Sequence, residues 1–118
     1  MTVAGAAATG ELIQKIVVKV PTDQVMSDLD ATVAYAKASG KANTTKLGIT
    51  GFYWGGWATW MYSTHKPNLE AAVAWHGSDR KPTELTPKKP LDIAGDVRCP
   101  VLALYSGAEE SILTWCVT

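Results

Sequence analysis

The 118-residue sequence has few cysteines, no charge excess and no long hydrophobic run. Its two cysteines, Cys99 and Cys116, form no CxxC motif, and no histidine has zinc-ligand spacing, so we expect neither a disulfide framework nor a metal site. Eleven basic residues balance eleven acidic ones, which gives no support to a nucleic-acid partner. No apolar run approaches the roughly 18 residues of a membrane span. The start lacks the charged-then-apolar pattern of a signal peptide, so we expect a reducing, cytoplasmic setting.

The amino-terminal part of the chain divides into a loose start and one apolar segment. Residues 1–10 are rich in Ala, Thr and Gly and have no apolar period, so we expect them to be loose. Residues 11–20 carry apolar side chains whose spacing fits a short helix or a strand, and Pro21 ends the segment. The pattern leaves both structures open.

The clearest helix is predicted over residues 23–38. Thr22 or Asp23 can cap its amino end through a side-chain oxygen, and Gly40 supplies the stop. One face follows the spacing of a buried helix, and the residues on that face are Val25, Met26, Leu29, Val33 and Ala36.

Short apolar runs alternate with helical segments along the rest of the chain. Buried strands are predicted at 47–52, 71–75 and 100–105, with a second helix at 58–64. Residues 77–98 hold three prolines and are predicted to form a surface loop with one helical turn. Strands that alternate with helices and are apolar on both faces indicate an α/β fold with a parallel sheet of three to four strands.

The chemically informative stretch is the junction between the first strand and the second helix. Gly51 and Gly55 flank Tyr53 at positions two before and two after it. This spacing is typical of an elbow, in which a strand turns sharply into a helix and one strained residue sits at the apex. Tyr53 is therefore the predicted apex, and the backbone N–H of Trp54 is a predicted oxyanion donor.

Three segments of the chain resemble the dienelactone hydrolase family of α/β-hydrolases. They are VMSDLDATVAYAKASG, KLGITGFYWGGWATWMYSTHKPNLEAAVAWHG and PLDIAGDVRCPVLALYSGAEE, which occur in the family's order between about residues 20 and 112. The resemblance implies a partial α/β-hydrolase domain over residues 1–118 and a small ester or lactone as substrate. It also implies a Cys-His-Asp mechanism that uses no metal or organic cofactor.

Several positions depart from the family's pattern. The family's elbow reads G-F-C-W-G-G-R, so Tyr53 stands at the nucleophile position and Trp57 at an arginine expected to contact substrate. A phenol has an ordinary pKa of about 10 and is a poor nucleophile at neutral pH. The resemblance places Glu109 at the acid position. No histidine follows Glu109, although the family's histidine does. Residues 111–118 stop resembling the family.

Two histidines remain to be placed. His65 lies near the end of the elbow helix and is expected to be a surface or last-turn histidine. His76 ends the strand 71–75, and ligands in open α/β sheets bind outside the carboxyl ends of strands. We therefore expect His76 to line the substrate site, although its place before the acid position in the chain argues against a role as the catalytic base.

We expect a truncated and catalytically impaired ester or lactone hydrolase. The alternative is a non-catalytic remnant of the fold that binds a small molecule or a protein through its aromatic surface. Because a partial fold leaves sheet edges and faces without neighbours, we also expect a marginally stable or self-associating chain.

Overall fold

The computed structural model describes residues 20–76 and 82–106, which form a three-stranded parallel sheet with helices on one face. The elements in chain order are α1 (Thr22–Ala38), β1 (Leu47–Phe52), α2 (Trp54–His65), β2 (Leu69–Trp75), α3 (Pro90–Ile93), a 3-10 turn (Ala94–Asp96) and β3 (Val101–Leu104). The sheet order is β1-β2-β3, and both pairs of strands are parallel. The predicted α/β class is confirmed. The apolar segment 11–20 lies outside the described residues except for its last one.

Helix α1 begins differently from the prediction. Pro21 precedes the helix with extended backbone, and no side chain of the described residues caps the helix, so the cap predicted at Thr22 or Asp23 is wrong. The backbone N–H and the hydroxyl of Thr22 both donate hydrogen bonds to the carbonyl of Leu85, at 3.1 Å and 3.4 Å. A contact with a distant loop therefore replaces the local cap. The predicted stop is confirmed, since Gly40 has a φ of 66° just after the helix.

The core lies between one face of the sheet and the helices. It consists of three side chains of α1, four of α2, two of β2 and one of α3: Val25, Met26, Leu29, Trp57, Ala58, Met61, Tyr62, Leu69, Ala72 and Ile93. Two buried hydroxyls of α2 are satisfied within the helix. Thr59 donates to the Gly55 carbonyl at 2.8 Å, and Ser63 donates to the Trp60 carbonyl at 2.6 Å. These two hydroxyls therefore carry little penalty for burial.

Two elements extend beyond their predicted bounds. Helix α2 begins at Trp54 instead of residue 58, because the chain enters the helix directly after the apex of the elbow. Strand β2 begins at Leu69 instead of residue 71. The helical turn expected within the loop is present as α3 and the 3-10 turn that follows it.

The second face of the sheet is apolar and open within the described part of the chain. Phe52 is 56% exposed and Leu102 is 55% exposed. Their register partners on β2 are Trp75 and Val73, which are half-buried. Exposed apolar surface of this kind favours association. Self-association of the chain stays a prediction. No helix within residues 20–76 and 82–106 is long and apolar enough to cross a membrane.

Asp30 ties helix α1 to the end of helix α2. Its carboxylate accepts a hydrogen bond from the Tyr62 hydroxyl at 3.0 Å and one from Lys66 Nζ at 3.0 Å, and it contacts His65 Nε2 at 2.6 Å. Partial burial alone would raise the pKa of Asp30, but hydrogen bonds from His65, Lys66 and Tyr62 outweigh it and lower the pKa to about 2. The ionised carboxylate therefore stabilises the packing of the two helices.

Asp30→Asn should lower the free energy of unfolding by about 1 kcal/mol at neutral pH, because the variant loses the charge in three hydrogen bonds at a partly exposed site. Because the folded-state pKa is lowered, this contribution is complete above the ordinary carboxyl pKa of 3.8 and is lost as the pH falls toward 2. Urea titrations of both proteins across this range measure it. Asp28→Asn, at an exposed site on the same helix, is the control. A difference that is independent of pH would contradict the stabilising role of the Asp30 charge.

Candidate active site

The turn between β1 and α2 consists of one residue, Tyr53. Strand β1 ends at Phe52 and helix α2 begins at Trp54, so the predicted elbow is present. The backbone of Tyr53 has a φ of 50° and a ψ of −112°, a conformation that L-residues rarely adopt. A backbone conformation of this kind destabilises the folded state by about 1–3 kcal/mol, and it persists only where the surrounding structure enforces it.

The strand and the helix pass each other closely on either side of the apex. A Cβ atom added at Gly51 would lie only 2.3 Å from the carbonyl oxygen of Gly55, so the backbone would have to shift. Among the described residues, a Cβ atom added at Gly55 would meet nothing within 4 Å. The close approach therefore depends on the missing side chain at Gly51, and a side chain at Gly55 would not obstruct it among the described residues.

Hydrogen bonds that continue the sheet hold the apex in place. The N–H of Tyr53 donates to the carbonyl of Trp75 at 2.9 Å, one residue beyond the end of β1. In the same way, the N–H of His76 donates to the carbonyl of Leu104 at 2.8 Å, one residue beyond the end of β2. His76 also has a φ of 50°. Two strained residues thus lie side by side at the carboxyl ends of neighbouring strands.

The side chains of these two residues form a stacked pair. The ring centroids of Tyr53 and His76 are 5.6 Å apart, with an angle of 18° between the ring planes. Tyr53 is 68% exposed, so its ring lies over His76 rather than in the protein interior. A second stack lies beside it, between Phe52 and Trp75, with centroids 5.2 Å apart. His76 therefore lies beside the elbow, and its place in a substrate site stays a prediction.

The first turn of α2 offers a hydrogen-bond donor beside the apex. In the part of the chain that the structure describes, the N–H of Trp54 has no hydrogen-bond partner. The amino end of a helix carries a partial positive charge, which favours an anion near this N–H. The Trp54 ring packs against Trp57, with centroids 5.7 Å apart. The arrangement fits the predicted oxyanion donor.

The structure describes three other residues singled out in the sequence, and a fourth lies outside the described residues. Trp57 is 2% exposed and belongs to the core, so its packing does not favour the substrate contact predicted for it. Glu109 lies outside the described residues, and its role as the acid stays a prediction. His65 is in the last turn of α2, as expected. Cys99 is half-buried, and burial raises the pKa of its thiol.

A cleft of about 710 Å³ lies away from the elbow. Met26, Met61 and Ile93 line it together with His65, whereas the elbow residues do not. At 1.5 Å per residue, the 12-residue helix α2 separates the elbow from His65 by about 17 Å. The chemistry of the elbow therefore does not extend into this cleft.

A parallel sheet whose strand enters a helix through one strained residue, with the first N–H of that helix beside it, is the nucleophile elbow of the α/β-hydrolases. The family model of the dienelactone hydrolase family matches residues 3–115, a wider range than the three similar segments cover. The chain therefore belongs to the dienelactone hydrolase family.

Individual relatives agree with this assignment. A Methylorubrum extorquens protein described as a carboxymethylenebutenolidase is 52% identical over 103 residues, which cover 86% of this chain and 35% of that protein. Its counterpart in Escherichia coli K12 is 46% identical over 102 residues, which cover 86% of this chain and 37% of that protein. A crystal structure of a Klebsiella pneumoniae protein described as a dienelactone hydrolase has a TM-score of 0.77 and 42% identity, over 90% of this chain and 44% of that one. The chain thus spans less than half the length of these relatives.

Gly51→Ala should destabilise the fold by at least about 2 kcal/mol, because the added methyl group overlaps the Gly55 backbone. Gly55→Ala is the matched control and should be neutral or stabilising by up to about 1 kcal/mol, since it adds a better helix former where the described residues leave room. Urea denaturation of the two variants measures the difference. Equal stability of the two variants would show that the close approach at the elbow is absent.

Tyr53→Gly should be more stable than Tyr53→Ala by about 1–3 kcal/mol, because glycine removes the backbone strain and both variants remove the ring. At an ordinary helix or strand position, alanine would be the more stable of the two by about 0.5–1 kcal/mol. The sign of the difference, measured by thermal or urea unfolding, therefore reports the conformation at the apex. A more stable alanine variant would refute the strained apex.

Proposed function

We propose that the chain carries the ester-binding elbow of a dienelactone hydrolase and is a catalytically impaired ester or lactone hydrolase. The observation that supports this function is the apex itself, where Tyr53 has a positive φ next to the N–H that begins α2 at Trp54. That N–H can donate to the carbonyl oxygen of an ester and to the oxyanion formed when a nucleophile attacks.

Impairment is proposed because the apex carries the wrong nucleophile. The stack on His76 places the Tyr53 ring where a shorter side chain would leave room for an acyl group. A phenol is also a weak nucleophile without an activating base. The Trp54 N–H can therefore still polarise the ester carbonyl, but the apex lacks the cysteine sulfur that would attack it.

A cysteine at the apex should restore the covalent step. Tyr53→Cys, made together with Cys99→Ala and Cys116→Ser, should be acetylated once per chain by 4-nitrophenyl acetate. The amino end of α2 lowers the pKa of a thiol at this position, and the Trp54 N–H stabilises the oxyanion. The wild-type chain should release nitrophenolate no faster than Tyr53→Phe, because the phenol contributes nothing to the reaction.

The control is an exposed thiol in the middle of α1, introduced by Ala31→Cys into the same background without Cys99 and Cys116. Mass spectrometry of the acetylated chains gives the rate at each site, and the thiol at position 53 should react at least about tenfold faster than the thiol at position 31. Equal rates would mean that the turn is not a nucleophile elbow. A wild-type chain that turns over and loses its activity in Tyr53→Phe would contradict the proposed impairment.

Binding without catalysis is the second candidate function, and the two aromatic stacks favour it. Phe52 and Tyr53 are both more than half exposed at the same edge of the sheet, and each lies against a ring of β2 or its end. Exposed rings bind planar groups of a ligand or a partner. Saturable binding of an ester analogue to the wild-type chain, with no acylation of the thiol in Tyr53→Cys, would favour this candidate.

A further inference from the structure

We propose that the cleft at the carboxyl end of α2 is a binding site for an aromatic carboxylate, separate from the elbow. The cleft has a volume of about 710 Å³, which lies within the range of about 300–1,000 Å³ typical of small-molecule sites. It is formed by the first turns of α1, the last turns of α2 and the segment 87–98, which contains α3 and the 3-10 turn.

The cleft and the elbow lie at opposite ends of the strands. His65 comes shortly before β2 and Arg98 shortly before β3, so the cleft is beside the amino ends of these strands. Tyr53, in contrast, follows the carboxyl end of β1. All three strands are parallel, so the two places are at opposite edges of the sheet. A ligand in the cleft is therefore not a substrate at the elbow.

The floor of the cleft is apolar, and each of the three segments contributes one side chain to it. Met26, Met61 and Ile93 are each no more than 5% exposed, and they belong to the core as well as to the lining of the cleft. Methionine thioethers make favourable contacts with aromatic rings, and their unbranched side chains adapt to the shape of a ligand. A flat aromatic ring is therefore the apolar group that fits this floor best.

The rim of the cleft carries two cations that no other side chain pairs with. Lys88 and Arg98 are both exposed, and neither forms an ion pair or a side-chain hydrogen bond in the part of the chain that the structure describes. His65 also lines the cleft, but it contacts Asp30 at 2.6 Å. Lys88 and Arg98 are thus the groups that can donate charge-assisted hydrogen bonds to an anionic ligand.

Two carboxylates line the cleft as well, and they leave its rim with a small positive balance. Asp23 is in the first turn of α1, where the partial positive charge at the amino end of the helix offsets about half of its charge. Asp96 is the second carboxylate, and it lies opposite two cations in this balance, Lys88 and Arg98. A ligand with a single negative charge is therefore favoured. A carboxylate fits best, because its two oxygens match the geometry of a guanidinium group.

The test is a titration of the chain with 2-naphthoate, followed by NMR of the methionine methyl groups. The naphthalene ring should shift the methyl signals of Met26 and Met61 in one saturable step, because both side chains line the cleft. The alcohol 2-naphthylmethanol, which has the same ring and no charge, should bind about fivefold more weakly. Higher ionic strength should weaken the binding of the acid and not that of the alcohol.

Two variants test the rim and the space of the cleft separately. Arg98→Gln should weaken the binding of 2-naphthoate about threefold and leave that of the alcohol unchanged. Lys41→Gln removes an exposed cation in the turn after α1 and is the matched control, which should change neither affinity. Gly95→Leu should weaken both ligands, because Gly95 lines the cleft and a Cβ atom added there meets nothing within 4 Å.

Three results would overturn the proposal. They are methyl signals of Met26 and Met61 that do not move, equal affinity for the acid and the alcohol, and an effect of Lys41→Gln as large as that of Arg98→Gln. Lys88→Gln is a second removal of charge from the rim, should Arg98→Gln fold poorly as judged by the dispersion of its methyl signals. It should also weaken the binding of 2-naphthoate about threefold.

Discussion

The contact between the backbones of Gly51 and Gly55 is the constraint on which the site depends. Because Gly51 has no Cβ atom, the end of β1 can approach the first turn of α2 so closely that a single residue connects them. That residue, Tyr53, has to adopt a strained backbone conformation. Its side chain lies on the outside of the turn, and the N–H of Trp54 lies directly after it at the start of the helix.

The parallel sheet converts this local turn into a site. Ladder hydrogen bonds continue one residue beyond both β1 and β2, and they hold Tyr53 and His76 next to each other with the same positive φ. The aromatic stack follows from this placement. The core packing of α1 and α2 on the inner face of the sheet keeps the backbones of Tyr53 and His76 in these strained conformations. The Asp30 contacts fix the other end of α2. The elbow and the Asp30 contacts thus lie at opposite ends of one helix.

The sequence predicts what is locally encoded and misses what depends on distant partners. The elbow could be predicted because glycine spacing and a short apolar run lie within ten residues. The start of α1 could not, since the partner that replaces a local cap, Leu85, lies 63 residues from Thr22 in the chain. The same is true of the contacts between Asp30 and the end of α2, which join positions 35 and 36 residues apart.

The position of His76 shows the same limit. Its place in the chain shows only that it ends a strand, while the strand register brings it beside the apex. The burial of Trp57 is equally hard to predict, because alignment with the family's arginine gives no information about which face of α2 packs against the core. Resemblance to a family shows which of its positions a residue occupies, but it does not show what that residue packs against in this chain.

The function proposed for the elbow depends above all on the Trp54 N–H as the donor to the substrate's oxyanion. Reaction of the Tyr53→Cys chain with a trifluoromethyl ketone forms a tetrahedral adduct whose oxygen mimics that oxyanion. In an amide NMR spectrum of the labelled protein, the Trp54 proton should move strongly downfield when the adduct forms, because it then donates to a charged oxygen. An adduct at position 53 that leaves the Trp54 amide proton where it was would contradict this role.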